Sequence, residues 1–237
     1  MELSVACLPD AAALFFAGGI ALLYHLFIAR RRKLCPLRTV QGVASAARKD
    51  WVASVVRGRD GILGVQTLRN STMVASFMAS TSSVLALGVL SLAASAGDRT
   101  GAWRLLHIFG TPSPDLLVFK VLALLLVLFF AFFCFASSIR LYGHAGFMIG
   151  TCSAPGEEER RIHVSAACLE QAARQFHLGM RAFYFLVPLV LWLFGPVFLA
   201  LGAMGMLLAL YRLDRMPSGV ERGKLELPCR KDIDCRG

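Results

Sequence analysis

The sequence has few charges for its length and lacks most of the signatures of catalytic chemistry. Charged residues make up 17% of the 237 residues, against about 25% in ordinary soluble domains. No HExxH, GxSxG, P-loop or dinucleotide fingerprint occurs. The five histidines, His25, His107, His144, His163 and His177, fall at no metal-ligand spacing. The seven cysteines form no CxxC pair, which removes support for a structural zinc site. The first ten residues carry Glu2 and Asp10 and have no basic start, so they do not read as a cleaved signal peptide. These features speak against an enzyme and give no reason to expect a cofactor or a metal.

What is present is hydrophobic sequence, 57% of the chain, and a formal charge of +10. A positive balance in a soluble protein would suggest nucleic acid, but no basic patch interleaved with aromatics occurs. Alongside long apolar runs, the charge instead points to anionic lipid headgroups as partners. The composition predicts an all-α polytopic membrane bundle of about four transmembrane helices with long cytoplasmic helical extensions. The expected spans are 11–29, 73–95, 116–138 and 184–211 in a single domain over 1–215, followed by a polar tail at 216–237.

The first span ends in the basic run Arg30-Arg31-Arg32-Lys33. An uncleaved signal anchor is its close alternative. Gly18-Gly19 suits close helix approach or plain lipid contact equally well. Residues 40–56 read as a weakly amphipathic segment on the membrane surface, with Trp51 at headgroup level. Lys120, near the start of the third span, is expected to snorkel toward water. A charged helix from Glu157 to Arg181 should project from the membrane or lie on it, with Glu170 placed to pair with Arg174 at i,i+4. The run Tyr184–Tyr211 is 28 residues long and contains Pro188 and Gly195-Pro196. Two full passes would need about 40 residues, so it reads as one kinked span, with a broken helix and re-entrant tip as the alternative.

Loop charge sets the expected orientation. Residues 30–72 hold ten Lys/Arg against two acids, 96–115 hold two Lys/Arg, and 139–183 hold five. The positive-inside rule then puts the first and third loops in the cytoplasm of an inner-membrane protein and both termini outside it. The tail objects in part, because 212–237 carries seven Lys/Arg and five acids. A Cys229–Cys235 disulfide is chemically available only if that tail faces an oxidising compartment.

The most informative stretch is 61–92, which begins polar and becomes apolar enough to cross a bilayer. Arg69, Thr72, Ser76, Ser80 and Ser83 recur at steps of 3, 4, 4 and 3 and form one helical stripe. Such a stripe faces protein or water more readily than lipid. In the expected topology three groups converge at the cytoplasmic side: Gln66, Arg69, Asn70 and Thr72; Arg140, Tyr142 and His144; and Glu170, Arg174, His177, Arg181 and Tyr184. More arginine than acid would draw an anion or a phospholipid phosphate. Arginines at cytoplasmic helix ends also follow from orientation alone, and Ser or Thr can bond to its own helix.

Several of these residues carry a family resemblance. VQTLRNSTMVASFMAST (65–81), GMRAFYFLVPLVLWLFGPVFL (179–199) and LYRLD (210–214) resemble the signature of a bacterial and plant family of small multi-pass membrane proteins, domain of unknown function 599. Weaker likeness extends to the Arg48/Trp51 region, Gly61-Ile62-Leu63 and SSIRLYGHAGFMIG (137–150). The resemblance spans about residues 10–215. It implies about four spans with no assigned activity, mechanism or cofactor. It marks Gln66, Arg69, Asn70, Met73, Arg140, Tyr142, His144, Gly179, Arg181, Tyr184, Pro188, Trp192, Gly195, Pro196 and Asp214.

Three functions fit these observations. The first is an oligomeric channel or transport-like protein for a small solute or ion, with a polar site drawn from Gln66, Arg69, Asn70, Thr72, Ser76, Ser80, Arg140, His144, Arg174, His177, Arg181 and Tyr184. The alternatives are an accessory or scaffold subunit docked to another membrane protein, and a protein that binds anionic lipid. Self-association suits the first reading, because four spans are few for a monomeric transporter.

Overall fold

The computed structural model describes Asp10, residues 12–15, 17–20, 23, 30, 40–58, 61–95, 114–151 and 156–214. Among these the only regular structure is helix, and five helices have defined bounds: α1 Val40–Gly58, α2 Gly61–Ser95, α3 Pro114–Gly150, α4 Glu158–Trp192 and α5 Pro196–Asp214. The described residues of the expected first span are helical too. Much of that span, the 96–113 connection and the tail with Cys229 and Cys235 lie outside the described residues.

α2 and α3 have the length and apolarity to cross a membrane, and Pro196–Arg212 is a shorter apolar helix. At 35 and 37 residues, α2 and α3 run about 52 and 55 Å, well beyond a hydrocarbon core of about 30 Å. Their outward faces carry large apolar side chains such as Phe77 and Leu126, 66% and 70% exposed. The inward side of α2 is narrow and small, with Leu68, Ala75, Ala79, Ser82 and Ala86 buried. Small residues let the α3 side chains close on it.

The packing register follows from individual contacts. Gly64 of α2 lies against Ile149 and Gly146 of α3 against Leu68, so these two helices are antiparallel. Ser138 of α3 donates to the Ala172 carbonyl of α4 at 2.9 Å, and Lys120 reaches the Trp192 carbonyl at 3.0 Å, which makes α3 and α4 antiparallel as well. The core forms successive layers along this bundle. At one end Val52, Val55, Leu68, Tyr142, Ile149 and Leu169 bring α1, α2, α3 and α4 together. In the middle Ala79, Ala131, Phe135 and Ala182 pack, and beyond them Ala86, Leu124, Leu128 and Leu186. At the far end Ala17 joins Trp192, Leu199 and Ala203.

Two expectations are refined here. α1 is not isolated from the bundle. Val52, Val55 and Val56 are buried in the four-helix layer, and Trp51 packs against it half-buried.

The run Tyr184–Tyr211 is also not one kinked helix. In a continuous helix Gly202 would stand about 21 Å along the axis from Pro188. Instead, a Cβ on Gly202 would meet the Pro188 Cα at 3.1 Å and Leu191 Cδ1 at 2.7 Å. The chain therefore reverses, and α5 packs back along α4. The reversal begins with three tightened bonds, from the amides of Leu193, Phe194 and Gly195 to the carbonyls of Val190, Leu191 and Trp192. Gly195 then takes φ +145°, a conformation open to glycine and closed to most residues. Pro196 starts α5 at the position where its missing N–H costs nothing. Pro188 stays inside α4 without ending it.

Candidate functional site

Three of the polar groupings among the described residues bear on a site, and each has a different character.

The first is a cleft of about 70 Å³ between α1 and α4, lined by Gln41, Arg48, Glu170, Arg174, His177, Leu178 and Arg181. The α4 residues share a face because they recur at 170, 174, 177 and 181, steps of 4, 3 and 4. α1 crosses this face antiparallel. Arg48 Nη2 and Nε donate to Glu170 Oε2 at 2.8 and 3.2 Å, and Arg57 Nη2 donates to Glu159 Oε1 at 2.6 Å. The Arg48–Glu170 pair is largely shielded, with side chains 23% and 15% exposed. The Arg57–Glu159 pair stands in the open, where the carboxylate still holds the Arg57 guanidinium above its ordinary pKa. The first turn of α1 contains no acid. The described lining holds three arginines and one carboxylate, a formal balance of +2 with His177 neutral.

The second place is the outward face of α2. Gln66, Arg69, Asn70, Ser76 and Ser80 are exposed there, and Thr72 is half-buried. Neighbouring hydroxyls bond within the helix: Thr67 to the Leu63 carbonyl, Ser71 to Thr67, Thr81 to Phe77, Ser82 to Met78 and Ser83 to Ala79. Arg140 and His144 are exposed on α3 and do not line the cleft. Tyr184 is half-buried one turn beyond Arg181. Of the twelve residues expected to form a polar site, the cleft therefore unites Arg174, His177 and Arg181, while the α2 and α3 groups point elsewhere.

The third place was invisible as a site in the sequence. Asp10, Lys120 and Trp192 are 4%, 2% and 1% exposed and meet at the α4–α5 reversal. Lys120 Nζ lies 3.1 Å from Asp10 Oδ1 and donates to the Trp192 carbonyl at 3.0 Å. Trp192 Nε1 donates to the same Asp10 oxygen at 2.7 Å, and the ammonium stands 5.2 Å from the indole centroid. Phe119 closes edge-on against the ring. The expectation that Lys120 snorkels is thus overturned. Its ammonium satisfies the last carbonyl of α4 and a buried carboxylate, so reaching for water would leave both unpaired.

Glu170 also has a partner that local spacing could not supply, since Arg48 lies 122 residues away. The only trace in the sequence is two acids, Glu159 and Glu170, spaced much as Arg57 and Arg48 are. Among the described residues no group of His, Cys, Asp and Glu is placed to hold a metal ion. Burial pushes the Cys168 thiol above its ordinary pKa.

Neither the curated proteins nor the solved structures contain a match to this chain. The family model described as "Protein of unknown function, DUF599" matches residues 12–218. That stretch includes the cleft, the reversal and both long apolar helices. The chain belongs to the DUF599 family.

Proposed function

We propose that this chain is a multi-pass inner-membrane protein that binds an anionic, phosphate-bearing headgroup at its cytoplasmic face, in the cleft between α1 and α4. The observation that carries the reading is the charge of that cleft, whose described lining sets Arg48, Arg174 and Arg181 against Glu170. Its position supports a lipid as the source. Residues 182–211 contain no charged side chain, and Arg181 and Arg212 flank them. The antiparallel packing of α4 and α5 brings those two arginines toward the same level, where an apolar layer would give way to headgroups.

This reading has five passes: the segment containing residues 10–30, then α2, α3, the second half of α4, and α5. The α1 end of the bundle is cytoplasmic and the Asp10–Lys120 end outside. The carboxyl end of α5 then returns to the cytoplasm with the seven basic residues of 212–237, which removes the objection those charges raised to an outside tail. A reporter fused after Gly237 should be accessible from the cytoplasm. Periplasmic exposure of the reporter would overturn the five-pass arrangement.

The binding test uses the purified full chain and vesicles of phosphatidylglycerol or phosphatidylcholine. The wild type should prefer phosphatidylglycerol, and Arg174→Gln/Arg181→Gln should lower that preference by about tenfold, the loss of roughly one charge-assisted contact. Equal preference in the double variant would remove the cleft from the account. A second reading, an oligomeric channel or a subunit docked to a membrane partner, is favoured by the outward polar face of α2. A defined homo-oligomer with charge-selective flux in liposomes would establish it, and a monomer without flux would end the channel form.

A further inference from the structure

We infer that the space between the end of α3 and the first turns of α4 is a second ligand site, distinct from the α1–α4 cleft, and that it takes a small monocarboxylate with a short aliphatic tail.

The antiparallel packing of α3 and α4 brings the last turn of one beside the first turns of the other. A cavity of about 240 Å³ lies there. Its described lining is Met148 and Thr151 from the α3 side, with Glu157, Arg160, Arg161, Val164 and Ser165 from the α4 side. The α4 members recur at steps of 3, 1, 3 and 1 and so share one helical face. Pockets for drug-sized molecules run to roughly 300–1,000 Å³, so this one suits a smaller ligand.

Two polar atoms in this lining, Arg161 Nε and Ser165 Oγ, are buried without a hydrogen-bond partner. A helical serine can satisfy its hydroxyl on the carbonyl one turn back, as Ser82 and Ser83 of α2 do. Ser165 is fully buried and makes no such bond. A buried donor without a partner is costly, and a ligand oxygen would remove the cost. Arg161 Nη1 donates to the Thr151 carbonyl and so ties the guanidinium to the end of α3. The other edge, Nε with Nη2, carries the parallel N–H pair that matches the two oxygens of a carboxylate.

Charge restricts the ligand further. Arg160 stands 3.9 Å from Glu157, and Arg57 pairs with Glu159, while among the described residues Arg161 has no carboxylate partner. Glu158 and Glu159 in the first turn of α4 already offset its N-terminal dipole. A dianionic phosphate would meet their repulsion twice over, and a single carboxylate charge meets it once. Met148 and Val164 offer an apolar wall to an aliphatic tail. Met148 is unbranched and half-buried, the part of that wall able to shift as the carboxylate reaches the two covered donors.

The test is saturation-transfer NMR on the full chain in phosphatidylcholine nanodiscs, with empty discs as the blank and butyrate as the probe. Butyrate should bind saturably, about tenfold more tightly than neutral butyramide or inorganic phosphate. Arg161→Lys keeps the charge but loses the paired donors, and should weaken butyrate about tenfold. Ser165→Ala should weaken it about fivefold. Because that hydroxyl makes no bond in the structure, the same variant should melt no lower than the wild type, which keeps it a folded control. Arg174→Gln/Arg181→Gln should bind butyrate like the wild type, which separates this site from the α1–α4 cleft. Butyramide binding as tightly as butyrate, or phosphate binding more tightly, would overturn the carboxylate assignment. Butyrate binding that is indifferent to Arg161→Lys and Ser165→Ala, or no saturable binding at all, would overturn the site and leave the headgroup reading standing.

Discussion

Two polar clusters occupy opposite ends of the bundle, and they differ in charge and in access. At the α4–α5 reversal Asp10 and Lys120 cancel, every member is nearly sealed, and the indole N–H and the Trp192 carbonyl complete the hydrogen bonding. At the α1–α4 cleft three arginines face one carboxylate around an open volume. A closed, neutral cluster has no capacity left for a ligand, and its role is to join the N-terminal segment, α3 and the hairpin. An open cluster with excess charge keeps that capacity. The same residue classes thus build a sealed, neutral cluster at one end and an open, charged one at the other.

The sharpest way to break this comparison is to remove one half of the sealed pair. Lys120→Met or Asp10→Asn alone should destabilise the protein by about 3–5 kcal/mol, because an uncompensated polar or charged group stays buried. The double variant should cost less than the sum of the two, as a denaturation cycle in detergent would read directly. Strict additivity would mean that the two groups do not interact. Next in size is Gly202→Leu. The site for its Cβ already meets the Pro188 backbone, so the hairpin must open, at a cost of about 1–3 kcal/mol. Ser138→Ala removes the buried donor to the Ala172 carbonyl and should cost about 1 kcal/mol.

Smaller effects sharpen the other side of the comparison. Cys168 is shielded and its thiol is pushed up by burial, so less thiolate is present at any given pH. Alkylation of the folded protein at pH 8 should be slow there and should speed up on unfolding. The smallest effect belongs to Arg57→Ala. Its ion pair with Glu159 is short but exposed, with side chains 59% and 76% accessible, and the melting temperature should not change measurably. A clear drop would show that surface pairs along α1 matter more than the valine anchor does.

Much of this architecture was legible in the chain. Periodicity and length gave the helical class, the long α2 and the helix through the charged segment that begins α4. The spacing of Arg174, His177 and Arg181 placed them on one face before any partner was known. The break at Gly195 stood only as the alternative reading, because of length arithmetic. α4 begins in polar residues before Ala182, so the remaining uncharged run looked too short for two crossings. Lys120 was misread because a lysine near a helix end snorkels by default, and nothing local announces a carboxylate at position 10. The pairing of Arg48 with Glu170 escaped notice for the same reason. It is set by how α1 folds across α4, a tertiary fact without a local signature.

The central claim is that the cleft binds a phosphate-bearing anion and the sealed cluster does not. Native mass spectrometry of the full chain released from phosphatidylglycerol nanodiscs tests it most directly. Bound lipid should be lost from Arg174→Gln/Arg181→Gln and retained by a folded Lys120→Met/Asp10→Asn variant. Full retention by the arginine variant, or loss confined to the other, would contradict the account.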